Sequence, residues 1–143
     1  MNTIQRVKEE IKKEYNLYRR HHRGMEYFIL RPSALSGSSI LEETPFSLIN
    51  FCGYVVIDKS SSYYISNNYD DYKIDCHGGL TYAGDISSVS VDFAIGFDCS
   101  HAGDVISLGL DGIFSLESNI YRNVDYVDKE CKGIIDQLMS NNG

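Results

Sequence analysis

Tryptophan is absent from the 143-residue chain, and proline occurs twice against 12 glycines. Turns must therefore come mostly from glycine, which enters left-handed backbone without steric cost. No apolar run approaches the ~18–20 residues that span a bilayer, so no membrane partner is expected. Positive charge is also short. The net charge of −7 excludes extended nucleic acid as a partner, because that needs a continuous basic surface. It still permits one locally basic pocket for a small anion. The four cysteines, at 52, 76, 99 and 131, show no CxxC spacing, so no zinc or redox motif is present. Cys52, Cys76 and Cys131 fall at apolar positions and read as reduced, buried thiols. The first residues are charged and helix-forming, without the apolar core of a signal peptide, which makes the cytoplasm the expected location.

What is present is the composition of an ordinary globular protein. With 43% apolar and 23% charged residues, the chain suits a single domain over 1–143. Ile4, Val7, Ile11, Tyr15 and Tyr18 recur at helical spacing and predict an amphipathic helix over 3–20. Asn2 or Thr3 would cap it and Gly24 would stop it. The RRHHR run at 19–23 either complements that helix's dipole or forms a phosphate-binding edge.

Strands are expected at 25–31, 46–58, 73–83 and 89–98. The last is the clearest, since Val89, Val91, Phe93, Ile95 and Phe97 alternate with small or polar residues. Residues 59–72 make a long polar loop with four tyrosines, which either cover the core edge or stack on a flat ligand. Residues 99–118 should hold a turn and a short strand. Val124, Val127, Cys131, Ile134, Ile135 and Leu138 form the stripe of a helix near 122–140, capped by Asn123. The expected fold class is α+β: a mostly antiparallel sheet of about four to five strands, with an N-terminal and a C-terminal helix on one face. The segments are an N-terminal helix (1–24), a sheet with long loops (25–118) and a C-terminal helix (119–143). Consecutive strands should meander as neighbours.

Chemistry concentrates at two stretches, CHGGLTYAGD (76–85) and FDCSHAGD (97–104). If both end neighbouring strands, His77 approaches Asp98 across the ladder, and Gly78, Gly79 and Gly96 leave a floor without side chains. His101 and Asp104 would close over it from a turn. Arg122 stands at a helix start, where free amides also favour an anion. The candidate ligand-binding set is His77, Gly78, Gly79, Thr81, Asp98, His101, Asp104, Arg122 and Tyr69. Three chemistries fit. His77, Asp98, His101 and Asp104 are proper ligands for a divalent metal, although no HxxxH or HExxH spacing fixes them. His77 or His101 with Asp98 could act as a catalytic acid–base pair. The same groups could simply bind a polar ligand. A Cys99–His101 nucleophile has nothing in the sequence to activate it. No resident cofactor is expected, while a divalent metal stays open.

The blocks CGYVVI (52–57), YDDYKIDCHGGLTYAG (69–84), AIGFDCSHAGD (94–104) and YRNVDYVDKEC (121–131) resemble a family of small proteins encoded by bacteriophages and prophages. The resemblance spans residues 50–135. The prolyl-glycyl and histidyl turn usual after the CGYV strand is replaced here by the Ser/Tyr/Asn loop at 59–68. What the resemblance implies is a viral or prophage origin, and with it a host bacterial cytoplasm, more than an activity. Small phage accessory proteins often counter host defence by sequestering or cleaving nucleotide-derived immune signals. By that analogy the expected function is capture of a nucleotide-like small molecule. The alternatives are a hydrolase that cleaves such a signal, with His77, Asp98 and His101 catalytic, and a protein-binding inhibitor module. Both helices could pack internally or pair between subunits, which leaves a homo-oligomer open.

Overall fold

The computed structural model of the chain describes residues 3–32, 49–100 and 120–142. The Asn2 cap, the first residues of the expected 46–58 strand and nearly all of the 99–118 turn and strand lie outside them. The architecture is α+β, with an N-terminal helix, a five-stranded antiparallel sheet and a C-terminal helix. The elements are α1 (Thr3–Lys13), β1 (Leu17–His22), β2 (Met25–Leu30), β3 (Cys52–Val56), β4 (Tyr82–Ile86), β5 (Val91–Asp98) and α2 (Val124–Asn142). No helix among the described residues is long and apolar enough to cross a membrane.

The expected 3–20 helix ends at Lys13, and Leu17–His22 is a strand instead. The physical reason is the turn that follows. Arg23 and Gly24 have φ of 52° and 86°, as a two-residue hairpin of type I′ requires. Gly24 thus turns a hairpin rather than stopping a helix. The hairpin pairs Leu17 with Leu30 through to His22 with Met25. Alternation then sends Tyr18, Arg20 and His22 towards α2 and leaves Arg19 against Phe28 on the other face, with its guanidinium 4.7 Å from that ring.

The strand order is β1-β2-β3-β5-β4, so the expected meander is broken. β5 inserts between β3 and β4, and β4 lies outside it. Both faces of β5 are consequently buried over most of its length, as suits an inner strand. Phe93, Ile95 and Phe97 join Tyr27, Ile29 and Val55 beneath the α2 stripe of Val127, Cys131, Ile134, Ile135 and Leu138. A smaller cluster, Phe28, Val89, Val91 and Ala94, occupies the opposite face. At the start of α2, Asn123 caps as expected, its Oδ1 accepting from Tyr126 N at 2.9 Å.

The expected 73–83 strand is mostly absent. Residues 73–81 are irregular, and β4 begins only at Tyr82. Gly78 and Gly79, with φ of 67° and 82°, are incompatible with a pleated strand and fold the segment into a turn.

Candidate functional site

The Cys76–Gly79 turn is closed by Gly79 N donating to the Cys76 carbonyl at 2.9 Å. It delivers His77 to the first turn of α2. There His77 Nδ1 and the Tyr126 hydroxyl share a hydrogen bond of 2.7 Å, and the two rings meet edge to face. The Arg122 guanidinium lies 4.7 Å above the same tyrosine ring, a favourable cation–π distance. Tyr126 therefore joins two of the sequence candidates, His77 and Arg122, at one place. Its place in the first turn of α2, three residues after the Asn123 cap, is the signal that could have found it. The α2 amides are less open than a bare helix start. Val124 N donates to Glu14 Oε2 at 2.9 Å and Tyr126 N to Asn123, so anion binding there would rest on Arg122 more than on the dipole.

Thr81 and Asp98 meet elsewhere. Thr81 N donates to the Gly96 carbonyl, and its hydroxyl donates to Asp98 Oδ2 at 3.1 Å. Asp98 Oδ1 accepts from Ser100 N and Oγ, which is turn capping. The expected approach of His77 to Asp98 rested on a strand that does not form around His77, and Thr81 takes that place. His101 and Asp104 lie outside the described residues. Among the described residues no three His, Cys, Asp or Glu side chains converge as metal ligands.

At Gly96 the expected glycine floor is occupied by an aromatic ring. A Cβ on Gly96 would meet the Tyr54 ring and stand 2.8 Å from the Gly53 carbonyl. Tyr54 and Tyr82 flank Gly96 from the strands on either side, their rings edge to face at 5.7 Å. A Cβ on Gly53 would come within 2.7 Å of Cys131 Sγ. These two glycines admit the chain's own side chains.

The tyrosine loop divides. Tyr72 is 2% exposed; its hydroxyl donates to the Ser66 carbonyl and accepts from Ile65 N. Tyr64 packs edge to face on Phe93, and Tyr63 borders the same core. Those three cover the core edge. Tyr69, 38% exposed, opens the short 3-10 helix Tyr69–Tyr72 and lines a depression of about 220 Å³ with Asp70, Lys73, Ile74, Gly79 and Leu80. Gly79 belongs to the turn that holds His77, so the depression and the His77–Tyr126–Arg122 edge share one segment.

The basic run at 19–23 is answered by acids rather than left for phosphate. Arg20 and Tyr27 both donate to Asp128 Oδ1, at 2.8 and 2.5 Å. His22 Nε2 lies 2.9 Å from Asp136 Oδ1 and Arg23 3.0 Å from it. Arg19 pairs with Glu26. Burial pushes the Asp128 carboxyl up, but hydrogen bonds from Tyr27, Arg20 and Lys132 outweigh it and hold the group below its ordinary value.

Arg31 went unrecognised as anything but a strand end. It is 0% exposed, and Glu14 beside it is 6% exposed. Its Nε donates to the Ile49 carbonyl at 2.8 Å, Nη1 to Asn16 at 3.0 Å, and Nη2 to Glu14 at 3.2 Å and to the Tyr121 hydroxyl. Phe51 lies beneath the guanidinium at 4.0 Å. Tyr121 in turn donates to Glu14 at 2.6 Å. One buried cluster thus ties the end of α1, the end of β2, the approach to β3 and the start of α2. Through Val124 N it fixes where Arg122 and Tyr126 stand. Cys52, Cys99 and Cys131 are buried thiols, whereas Cys76, expected to be buried, is half-buried because its segment is a turn rather than a strand. Burial pushes Cys52 up to about 11 and Cys76 up to about 12, with Glu130 and Asp75 adding to the latter.

Comparison with protein-family models, with curated proteins and with solved structures finds no match to this chain.

Proposed function

We propose that the chain captures a nucleotide-derived small molecule, as a phage-type accessory protein that withdraws an immune signal from its bacterial host. The observation that carries the reading is the His77–Tyr126–Arg122 edge. It offers an imidazole hydrogen-bonded at 2.7 Å to a tyrosine that carries a guanidinium on its face. Imidazole and guanidinium can grip phosphate oxygens, the guanidinium in bidentate fashion. The partly exposed ring of Tyr69 and the backbone of Gly78 and Gly79 lie along the same segment. The phage setting rests on the resemblance of the CGYV, HGGLTY and GFDCSHAGD blocks.

The test is direct. The protein is incubated with a panel of cyclic nucleotides and ADP-ribose derivatives, freed of unbound ligand and heated, and the released material is chromatographed. Recovery of an intact member supports capture. A new product would make the chain a hydrolase instead. Retention of no member would end the nucleotide reading.

A further inference from the structure

The depression beside the His77 turn has a chemistry of its own. Its volume of about 220 Å³ is below the ~300–1,000 Å³ of pockets for drug-sized ligands. That is room for about one planar ring system rather than for a whole nucleotide. Tyr69 supplies an aromatic face, and Ile74 and Leu80 supply apolar walls. Asp70 and Lys73 complete it, and among the described residues neither side chain has a hydrogen-bond or ion-pair partner. Asp70 is placed by its own backbone, whose N–H donates to Asn68 Oδ1 at 3.0 Å. Lys73 follows with a left-handed backbone, φ of 49°, which fixes the direction in which its side chain leaves the 3-10 helix.

An ionised carboxylate only accepts hydrogen bonds. Beside a stacking face it therefore selects a ring that presents adjacent N–H donors. Among the common bases, guanine alone places two such donors, N1–H and the exocyclic amine, on one edge. Adenine and the pyrimidines put an acceptor where the second donor must be. From these groups we infer that the Tyr69–Asp70–Lys73 depression is a guanine-selective base subsite. Tyr69 stacks on the ring, Asp70 accepts from its donor edge, and Lys73 meets the nearest phosphate at the rim. This rests on the nucleotide reading above and names the class of nucleotide.

The experiment measures dissociation constants for cyclic GMP, cyclic IMP and cyclic AMP, and for GDP against ADP, by calorimetry. The guanine member of each pair should bind about ten-fold more tightly, the worth of one good bidentate base contact. The inosine compound, which lacks the amine, should fall between. Asp70→Asn should reduce the preference to about two-fold or less, because an amide offers one acceptor where the carboxylate offers two. Tyr69→Ala should weaken every member by about ten-fold through lost stacking. Both positions are exposed, so neither change threatens the fold. Equal or tighter adenine binding, or an undiminished preference in Asp70→Asn, overturns the guanine assignment alone. Absence of binding by every compound also overturns the guanine assignment, and the nucleotide reading falls with it only if no member of the wider panel is retained.

Discussion

Replacing Arg31 by methionine removes the hub of the buried cluster. The guanidinium is 0% exposed and donates to Ile49, Asn16, Glu14 and Tyr121. Methionine fills similar volume and keeps contact with Phe51, so the loss is electrostatic rather than a cavity. It leaves the Glu14 carboxylate 6% exposed, with Tyr121 and Val124 N still donating to it. Breaking one side of a buried pair costs about 3–5 kcal/mol. The two remaining donors put this case near the lower end, at about 3 kcal/mol. That is a large share of the ~5–15 kcal/mol by which domains are stable. With a urea slope of about 2 kcal/mol/M, the unfolding midpoint should fall by about 1.5 M, read by circular dichroism. The double variant Arg31→Met, Glu14→Met removes the stranded charge and should be less destabilised than the two single losses added together. A single variant within about 1 kcal/mol of the parent, the range of an exposed pair, would refute the reasoning.

Gly96→Ala should lose about 2–3 kcal/mol in urea melts, because the new Cβ meets the Tyr54 ring and the Gly53 carbonyl together. A neutral result would mean that the tyrosine-filled floor is wrong. The folded-state pKa of Asp128 lies below its unfolded value, so the unfolded chain binds that proton more tightly. Its stabilising contribution is complete above about pH 4, the ordinary aspartate value, and is lost as pH falls through the folded value. Asp128→Asn should flatten the decline of the urea midpoint in that acid range. Cys52, Cys76 and Cys131 all have thiol pKa values raised by burial. They should resist labelling by a disulfide reagent at pH 8 until the chain is unfolded. Rapid labelling of Cys76 in the native protein would contradict its placement.

The sequence carried the elements whose period is unambiguous. The α2 stripe and the β5 alternation are strong because one face of each is buried against the other. It misled where two patterns shared residues. Tyr15 and Tyr18 continue the helical spacing of Val7 and Ile11, yet the chain leaves the helix after Lys13 because the Arg23–Gly24 hairpin and the α2 acids favour a strand. The glycines at 78, 79 and 96 read as one open surface. Two of them turn the backbone, and the third makes room for Tyr54. That partnership depends on β5 lying beside β3, a matter of strand order that no local pattern encodes. Arg31 was hidden for a related reason. An arginine before a proline looks like the exposed end of a strand, and its partners lie 15, 17 and 90 residues away. The His77–Arg122 proximity was half legible, since each was a candidate alone, but the tyrosine that joins them was not.

The account stands or falls on ligand capture at the His77–Tyr126–Arg122 edge. Calorimetric titration of the nucleotide panel into the parent and into Arg122→Ala tests it most directly. The account predicts saturable binding of at least one nucleotide, weakened about ten-fold or more by loss of the charged hydrogen bonds. No heat with any member, or the same affinity in both proteins, would contradict it.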